Sequence, residues 1–291
     1  MHLIAIMPAR NEAWVIGASL RAALRWCDEV VVLDHASTDD TAGIVIDVSE
    51  EHPGRVLLIQ EGRPDWSEMT HRQRLLVAAR QRKATHIAIV DADEILCGNI
   101  ASGIRVEIEA LRPLQYMHSG MMCPWRSLDQ YRVGRSIWAN RWDLALAFAD
   151  DPSLNWNANN GYDHHHRQPF GAQLGKRLYH LPGGVMHLQF ADWRRLTAKH
   201  ARYKMMERVK YPNKPVSEID RMYSLALDES GLQVAEVPVE WWQGYEQIRS
   251  HIDLNAEPWQ EQECKRLWME HGAEAFHGLN LFGVVGEPVT A

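Results

Sequence analysis

Two carboxylates one residue apart, Asp91 and Asp93 in Asp91-Ala92-Asp93-Glu94, follow directly on the apolar run His86–Val90. If the extended chain continues that far, alternation puts both on one side. There they would repel each other unless a cation or hydrogen-bond donors stood between them. Oxygen ligands of this kind suit Mg²⁺ or Mn²⁺ bridging a diphosphate. Such an ion would stabilise negative charge building on a departing nucleoside diphosphate. The competing reading is plainer: acidic residues that end a strand and cap the next helix.

Other groups with chemical potential lie later in the chain. His187 follows the apolar pair Val185-Met186, and Lys199 and Arg202 sit on a basic helical stretch, Asp192–Val209. Alone, His187 reads as a core or loop histidine; beside an Asp-x-Asp it reads as a ligand. Lys199 and Arg202 fit either a counter-charge to diphosphate or a solvated basic face. The run His164-His165-His166 could bind metal, but consecutive residues do not share one face of a helix or strand. Two phosphate cradles fail on spacing. No Gly-x-Gly-x-x-Gly follows the first apolar run, and Gly171–Lys176 is one residue short of a P-loop and lacks its Ser/Thr. Phosphohydrolases of the haloacid dehalogenase type also use Asp-x-Asp, but after the first strand and continuing to Thr. Here the pair follows the fourth strand and continues Glu94-Ile95.

The elements that must position these residues alternate over the first hundred positions. Leu3–Met7, Glu29–Leu33, Val56–Ile59 and His86–Val90 are short apolar runs, as expected of strands buried on both faces. Between them, Glu12–Trp26, a segment entered through Ser37–Thr41, and Ser67–Arg82 carry helical spacing or capping residues. This pattern predicts an α/β fold: a mostly parallel sheet of right-handed βαβ units flanked by helices. Ligands of such sheets sit beyond the carboxyl ends of the strands, which here are Pro8–Glu12, Asp34–Asp40, Gln60–Trp66 and Asp91–Glu94. Residues 1–112 form the first half of this domain. Residues 113–210, irregular and aromatic, form an acceptor-binding half that completes the metal site. Residues 211–291 read as a mainly helical C-terminal extension.

Composition narrows the function classes. The net charge is −7 with no dense Lys/Arg block, which gives no strong nucleic-acid signal. Four scattered cysteines make neither a disulfide framework nor a zinc knuckle. No run approaches the roughly 18 apolar residues of a membrane span. A cytoplasmic protein, peripheral at most to the inner face of a membrane, is expected. Twelve Trp and fifteen His are either aromatic core or a surface for stacking on sugars; Trp125, Trp138, Trp142 and Trp156 are the candidates.

Pro8-Ala9-Arg10-Asn11-Glu12, then Asp34-His35-Ala36-Ser37-Thr38-Asp39-Asp40-Thr41, then Asp91-Ala92-Asp93-Glu94 together resemble glycosyltransferase family 2, with its GT-A fold, over roughly the first hundred residues. Arg72-Gln73 stands where the family commonly has Arg-Asn. Val185–Gln189 with Lys199 and Arg202-Tyr203 is similar to the family's later His and Lys/Tyr pattern. The resemblance implies transfer of a sugar from a nucleoside-diphosphate sugar to a hydroxyl-bearing acceptor, with Mg²⁺ or Mn²⁺. Pro8, Ala9, Arg10, Asn11 and Glu12 would line the base and ribose pocket, with Arg10 against the base. Asp34 would bond the base, Arg72 would approach the diphosphate or ribose, and Asp91 beside Ala92 would contact the ribose. Asp93 and His187 would hold the metal, with Lys199 near the diphosphate. His35 departs from the second acid of many relatives, which leaves the base open between uridine, guanosine and thymidine. An inverting transfer needs a general base, and Asp163 is favoured over Asp143, Asp150 and Asp151. The acceptor is a glycan, a lipid-linked precursor or a small molecule, and a homodimer is possible. Two alternatives stand beside this reading. One is a nucleotidyltransferase making a nucleotide sugar, although Pro8–Glu12 is neither Gly-rich nor basic enough for its usual loop. The other is a non-catalytic carbohydrate-binding protein.

Overall fold

The structure, a computed structural model, describes residues 1–62, 67–135, 141–156 and 167–286. In chain order the elements are β1 (Leu3–Ala9), α1 (Ile16–Ala23), β2 (Glu29–His35), α2 (Thr41–Glu51), β3 (Val56–Glu61), α3 (Glu68–Gln81), β4 (His86–Ile89), β5 (Glu94–Leu96), α4 (Gly98–Ala101) and α5 (Ile104–Glu109). There follow β6 (Gln115–Ser119), β7 (Met121–Met122), β8 (Gln130–Val133), β9 (Leu144–Ala149), β10 (Gln173–Arg177), β11 (Val185–His187), α6 (Trp193–Lys210), α7 (Val216–Ser224), β12 (Gln233–Glu236), α8 (Glu246–Arg249) and α9 (Trp259–His271).

The main sheet has the order β10-β6-β9-β4-β1-β2-β3. β4, β1, β2 and β3 are parallel, and β9 runs antiparallel to both β4 and β6. The fold is thus the expected α/β arrangement of a mostly parallel sheet between helices. The inner strands β1, β2, β4 and β9 read as largely apolar runs because both faces are covered, whereas the edge strand β10, Gln173–Arg177, alternates between exposed and half-buried residues. In β1, Leu3, Ala5 and Met7 enter the core cluster on one face, while Ile4 and Ile6 enter the cluster under α3 on the other. A third cluster joins α6 to α7 and α9 through Ala201, Met205, Ile219, Cys264 and Leu267.

Two small sheets complete the scaffold. In one, β11 pairs antiparallel with β5 and parallel with β7. In the other, β12 pairs antiparallel with β8. The last of these adds one short strand to a C-terminal stretch that is otherwise mainly helical, as expected. Gln233-Val-Ala-Glu236 carries little strand preference of its own, and its backbone is extended because β8 offers partners. The first helix also starts later than Glu12, at Ile16. The preceding amides are already bonded to a neighbouring loop, as shown below. Among the described residues no helix is long and apolar enough to cross a membrane, and all four cysteines are buried and free.

Candidate functional site

The parallel strands β4, β1 and β2 lie side by side, so their carboxyl ends open on one edge. The loop after β1 is held there by the loop after β2. Asn11 N–H donates to Ser37 Oγ (2.8 Å), Glu12 N–H to Thr41 Oγ1 (2.8 Å) and Ala13 N–H to Asp39 Oδ2 (3.1 Å). Thr38 N–H returns a bond to Asn11 Oδ1 (2.7 Å). Asn11 has φ 53°, a left-handed conformation that Asn tolerates better than most residues. Ser37 and Thr41, expected as helix-capping residues, thus fasten the adjacent loop, while Asp39 does both, its Oδ1 also accepting the first amide of α2, Thr41 N–H, at 3.0 Å. Asp40 at the N-cap of α2 makes no side-chain cap bond.

The Asp-x-Asp carboxylates have separate partners. Asp91 accepts from Arg72 Nη2 (3.1 Å) and Arg167 Nη1 (2.8 Å). Burial works against its charge, but Arg167 and Arg72 hold its pKa below the usual carboxylate range. Asp93 Oδ1 instead faces His187 Nε2 at 3.4 Å. The β5–β11 ladder sets this contact. His187 pairs with Glu94, the residue after Asp93, and Leu188 N–H donates to Asp93 O (2.8 Å). Burial again opposes charge, yet His187 carries the Asp93 pKa well down, and Asp93 in turn raises that of His187. Lys199 Nζ donates to Gln189 Oε1 (2.7 Å), whose amide nitrogen stands 3.4 Å from His187 Nδ1. A single chain of contacts therefore runs Lys199–Gln189–His187–Asp93.

Around this chain the field is strongly mixed. Burial, with Asp93 nearby, pushes the Glu12 carboxyl up to about 8, so at neutral pH it is largely protonated and Asp93 carries the negative charge. Asp34 is 4% exposed, and its Oδ1 has no partner among the described residues. Arg72, 3% exposed, is fixed through Nε and Nη2 by Glu68 and Asp91 while Nη1 is likewise left without a described partner. A buried polar atom without a partner is costly unless a ligand or water meets it. Arg10 Nη1 lies 3.2 Å from His35 Nδ1, and the His35 ring packs on His71 at 4.5 Å.

As a divalent-metal site the residues present are partial. Asp93 and His187 offer one carboxylate and one imidazole side by side. No group of three or more His, Cys, Asp or Glu able to hold a metal exists among the described residues. That set fits an ion such as Mg²⁺ or Mn²⁺ taking its remaining ligands from phosphate oxygens and water, as such ions commonly do.

Of the residues expected at the site, Arg10, Asn11, Glu12, Asp34, Arg72, Asp91, Asp93, His187 and Lys199 come together at this edge. Ala9 pairs with Asp34 at the ends of β1 and β2, with Pro8 beside it. Ala92 turns its side chain into the core. Asp163 and His164–His166 lie outside the described residues, as does Trp138. Asp150 is held by Arg80 in a two-pronged pair (2.8 Å each). Because Ala149 pairs with His86 at the start of β4, Asp150 and Asp151 lie at the opposite edge of the sheet, where no base for this crevice can stand. Asp143, just before β9, is at the correct edge and pairs with Arg141 at 3.2 Å. Trp125 and Trp156 are core residues, 3% and 2% exposed. Trp142 is partly exposed and packs edge-on against Tyr179 at 5.8 Å. Gln73, the departure from Asn, accepts the Trp156 N–H (2.8 Å).

Sequence reasoning missed Arg167. Its guanidinium donates to Asp91 and Glu94 (2.8 Å each) and to the carbonyls of Ile89 (2.7 Å) and Ala145 (2.9 Å). It is 76 residues from Asp91 in sequence, in no motif, so no local signal marks it. Gln189 was passed over for the same reason: a lone Gln announces nothing until a Lys and a His flank it in space.

No protein-family model matches the chain, and no curated protein sequence matches it. Solved structures do resemble it. S. aureus TarS aligns at 13% identity and TM-score 0.43, over 78% of this chain and 43% of that one. The mannosyltransferase PcManGT from Pyrobaculum calidifontis, in complex with GDP-Man and Mn²⁺, aligns at 14% and 0.43, over 97% and 78%. Glucosyl-3-phosphoglycerate synthase from Mycobacterium tuberculosis, in complex with Mn²⁺, uridine-diphosphate and glucosyl-3-phosphoglycerate, aligns at 23% and 0.26, over 32% and 34%. The chain thus spans less than half the length of the TarS structure it matches.

Proposed function

We propose that this protein is a metal-dependent glycosyltransferase that takes a sugar from a nucleoside-diphosphate sugar and passes it to a hydroxyl-bearing acceptor, with inversion. The observation that carries the reading is the Asp93–His187 pair at the edge of a parallel sheet where Asp34 Oδ1 and Arg72 Nη1 are buried without described partners. A nucleotide supplies what these groups lack: a base N–H for Asp34, and phosphate or ribose oxygens for Arg72.

In this reading Asp93 and His187 hold a Mg²⁺ or Mn²⁺ ion, which when bound offsets charge on the diphosphate leaving group. Lys199 adds a fixed cation on the same side, kept in place by Gln189. Asp91, already neutralised by Arg72 and Arg167, is a hydrogen-bond acceptor for a ribose hydroxyl rather than a metal ligand. The loop Pro8–Glu12 walls the base and ribose. The acceptor hydroxyl approaches from the side of Trp142 and Tyr179, and Asp143 at that edge, or Asp163 outside the described residues, takes its proton. A glycan, a lipid-linked sugar and a small molecule all fit an aromatic rim of this kind.

The test is thermal stability against a panel of nucleoside diphosphates, with Mn²⁺ or with EDTA, for wild type and Asp93→Ala. A ligand bound only by the native state raises its stability in proportion to binding free energy. A shift with one nucleotide that needs metal and is lost in Asp93→Ala is the expected result. No shift with any nucleotide would overturn the reading in favour of a carbohydrate-binding protein.

A further inference from the structure

Lys199, Gln189, His187 and Asp93 form a line of contacts in which each donor fixes the role of the next group. An ammonium only donates, so the side-chain atom of Gln189 that meets Lys199 Nζ at 2.7 Å is its carbonyl oxygen. That leaves the amide N–H₂ of Gln189 towards His187 Nδ1, 3.4 Å away. The N–H₂ likewise only donates. It therefore meets Nδ1 as an acceptor, and the ring proton sits on Nε2, facing Asp93 Oδ1 at 3.4 Å. A doubly protonated ring would hold Nε2 occupied all the same. The ring itself is held in place: Phe190 packs edge-on against it at 5.7 Å, and the adjacent Leu188 N–H donates to Asp93 O (2.8 Å).

This orientation is the wrong one for an imidazole that gives its Nε2 lone pair to a cation. In that state Nδ1 carries the proton and needs an acceptor, and such an outer partner orients the ring and sets metal affinity. Gln189 can be that partner only by turning its amide over, which carries its oxygen to His187 and its N–H₂ to Lys199. Two donors would then face each other, so Lys199 must leave. An anion at this edge gives the ammonium a better acceptor than an amide oxygen. We propose that Gln189 is a positioning residue that couples the two halves of the donor site: Lys199 holds its amide, and His187 stays bonded to Asp93, until a diphosphate takes Lys199 and Gln189 turns to free the His187 lone pair. The nucleotide and the metal in this coupling rest on the function proposed above.

The experiment counts free Mn²⁺ by electron paramagnetic resonance in titrations of wild type, Gln189→Leu, Lys199→Met and the double variant. Each is run with and without the nucleoside diphosphate that wild type binds. Leu removes both the wrong-way donor and the later acceptor. Without nucleotide, Gln189→Leu is expected to bind Mn²⁺ no more weakly than wild type. With nucleotide it should bind about tenfold or more weakly, the loss typical of an outer partner of a metal-ligating His. A merely structural role for Gln189 would weaken both alike. Lys199→Met should tighten nucleotide-free Mn²⁺ binding, in part because a like charge is gone. That direct part is the same in either background, so a smaller gain in the Gln189→Leu background isolates the part that Gln189 carries. Equal gains in the two backgrounds, or an equal loss in Gln189→Leu with and without nucleotide, would overturn the coupling and leave the transferase reading standing. A wild type that binds Mn²⁺ but no nucleotide would sink the transferase reading alone, and the hold of Lys199 on Gln189 would then be judged on the nucleotide-free gains. No Mn²⁺ binding by wild type under either condition would overturn both.

Discussion

Replacing Arg167 by Met keeps most of the side-chain stem and removes the guanidinium from between Asp91 and Glu94. Asp91 retains Arg72 at 3.1 Å, so its charge stays partly met. Glu94 fares worse. It is 1% exposed, and its remaining described side-chain bond is from the Asp91 N–H at 3.0 Å. Breaking a buried ion pair by removing one partner costs about 3–5 kcal/mol, because the other charge is left behind. The carbonyls of Ile89 and Ala145 each lose a donor as well. At roughly 2–4 °C per kcal/mol for chains somewhat shorter than this one, Arg167→Met should melt at least about 6 °C below wild type. Removing the stranded charge should restore much of the loss, so Arg167→Met/Glu94→Gln is expected to regain about 2 kcal/mol or more over the single variant. Urea unfolding followed by tryptophan fluorescence reads all four corners of that cycle. A single variant less than about 1 kcal/mol below wild type, or a double variant showing only the sum of the two single losses, would refute the claim that Arg167 acts as the counter-ion of the strand end.

Two further outcomes concern pH. Burial depresses the His71 and His200 imidazoles to about 4, below the unfolded value. The unfolded chain therefore takes up their protons first, and stability present above pH ~6.5 is lost as pH falls towards 4. By linkage each loss is on the order of 2 kcal/mol at pH 5; denaturant midpoints between pH 7 and 5 check this, and His200→Phe should flatten the slope. Glu12 has the opposite sign. With a folded pKa raised to about 8, its neutral form is favoured by folding, and the protein loses stability as pH rises from the unfolded value through 8. Glu12→Gln should thus raise the melting temperature at pH 8.5 more than at pH 5 when metal and nucleotide are absent, and equal shifts at both would contradict the assignment.

The local parts of this protein were legible in its sequence because their physics is local. A strand buried on both faces must be an apolar run, so β1, β2 and β4 were readable. The half-buried edge strand β3 kept enough apolar residues to be read with them, and with the four came the parallel sheet and the edge on which ligands sit. Motif residues beside those strand ends, from Arg10 to Asp93, could be placed for the same reason. β12 was not legible, because four weakly biased residues become a strand only when β8 lends them hydrogen bonds. Nor was the division of labour within the acidic motif. Alternation placed Asp91 and Asp93 together, but Arg167 and Arg72 claim one while His187, carried in by the β5–β11 ladder, meets the other. Charges interact through space, not along the chain, and burial strengthens that coupling. Which cation answers which carboxylate, and that Gln189 stands between Lys199 and His187, were therefore decided only when the tertiary structure brought distant segments into one low-dielectric edge.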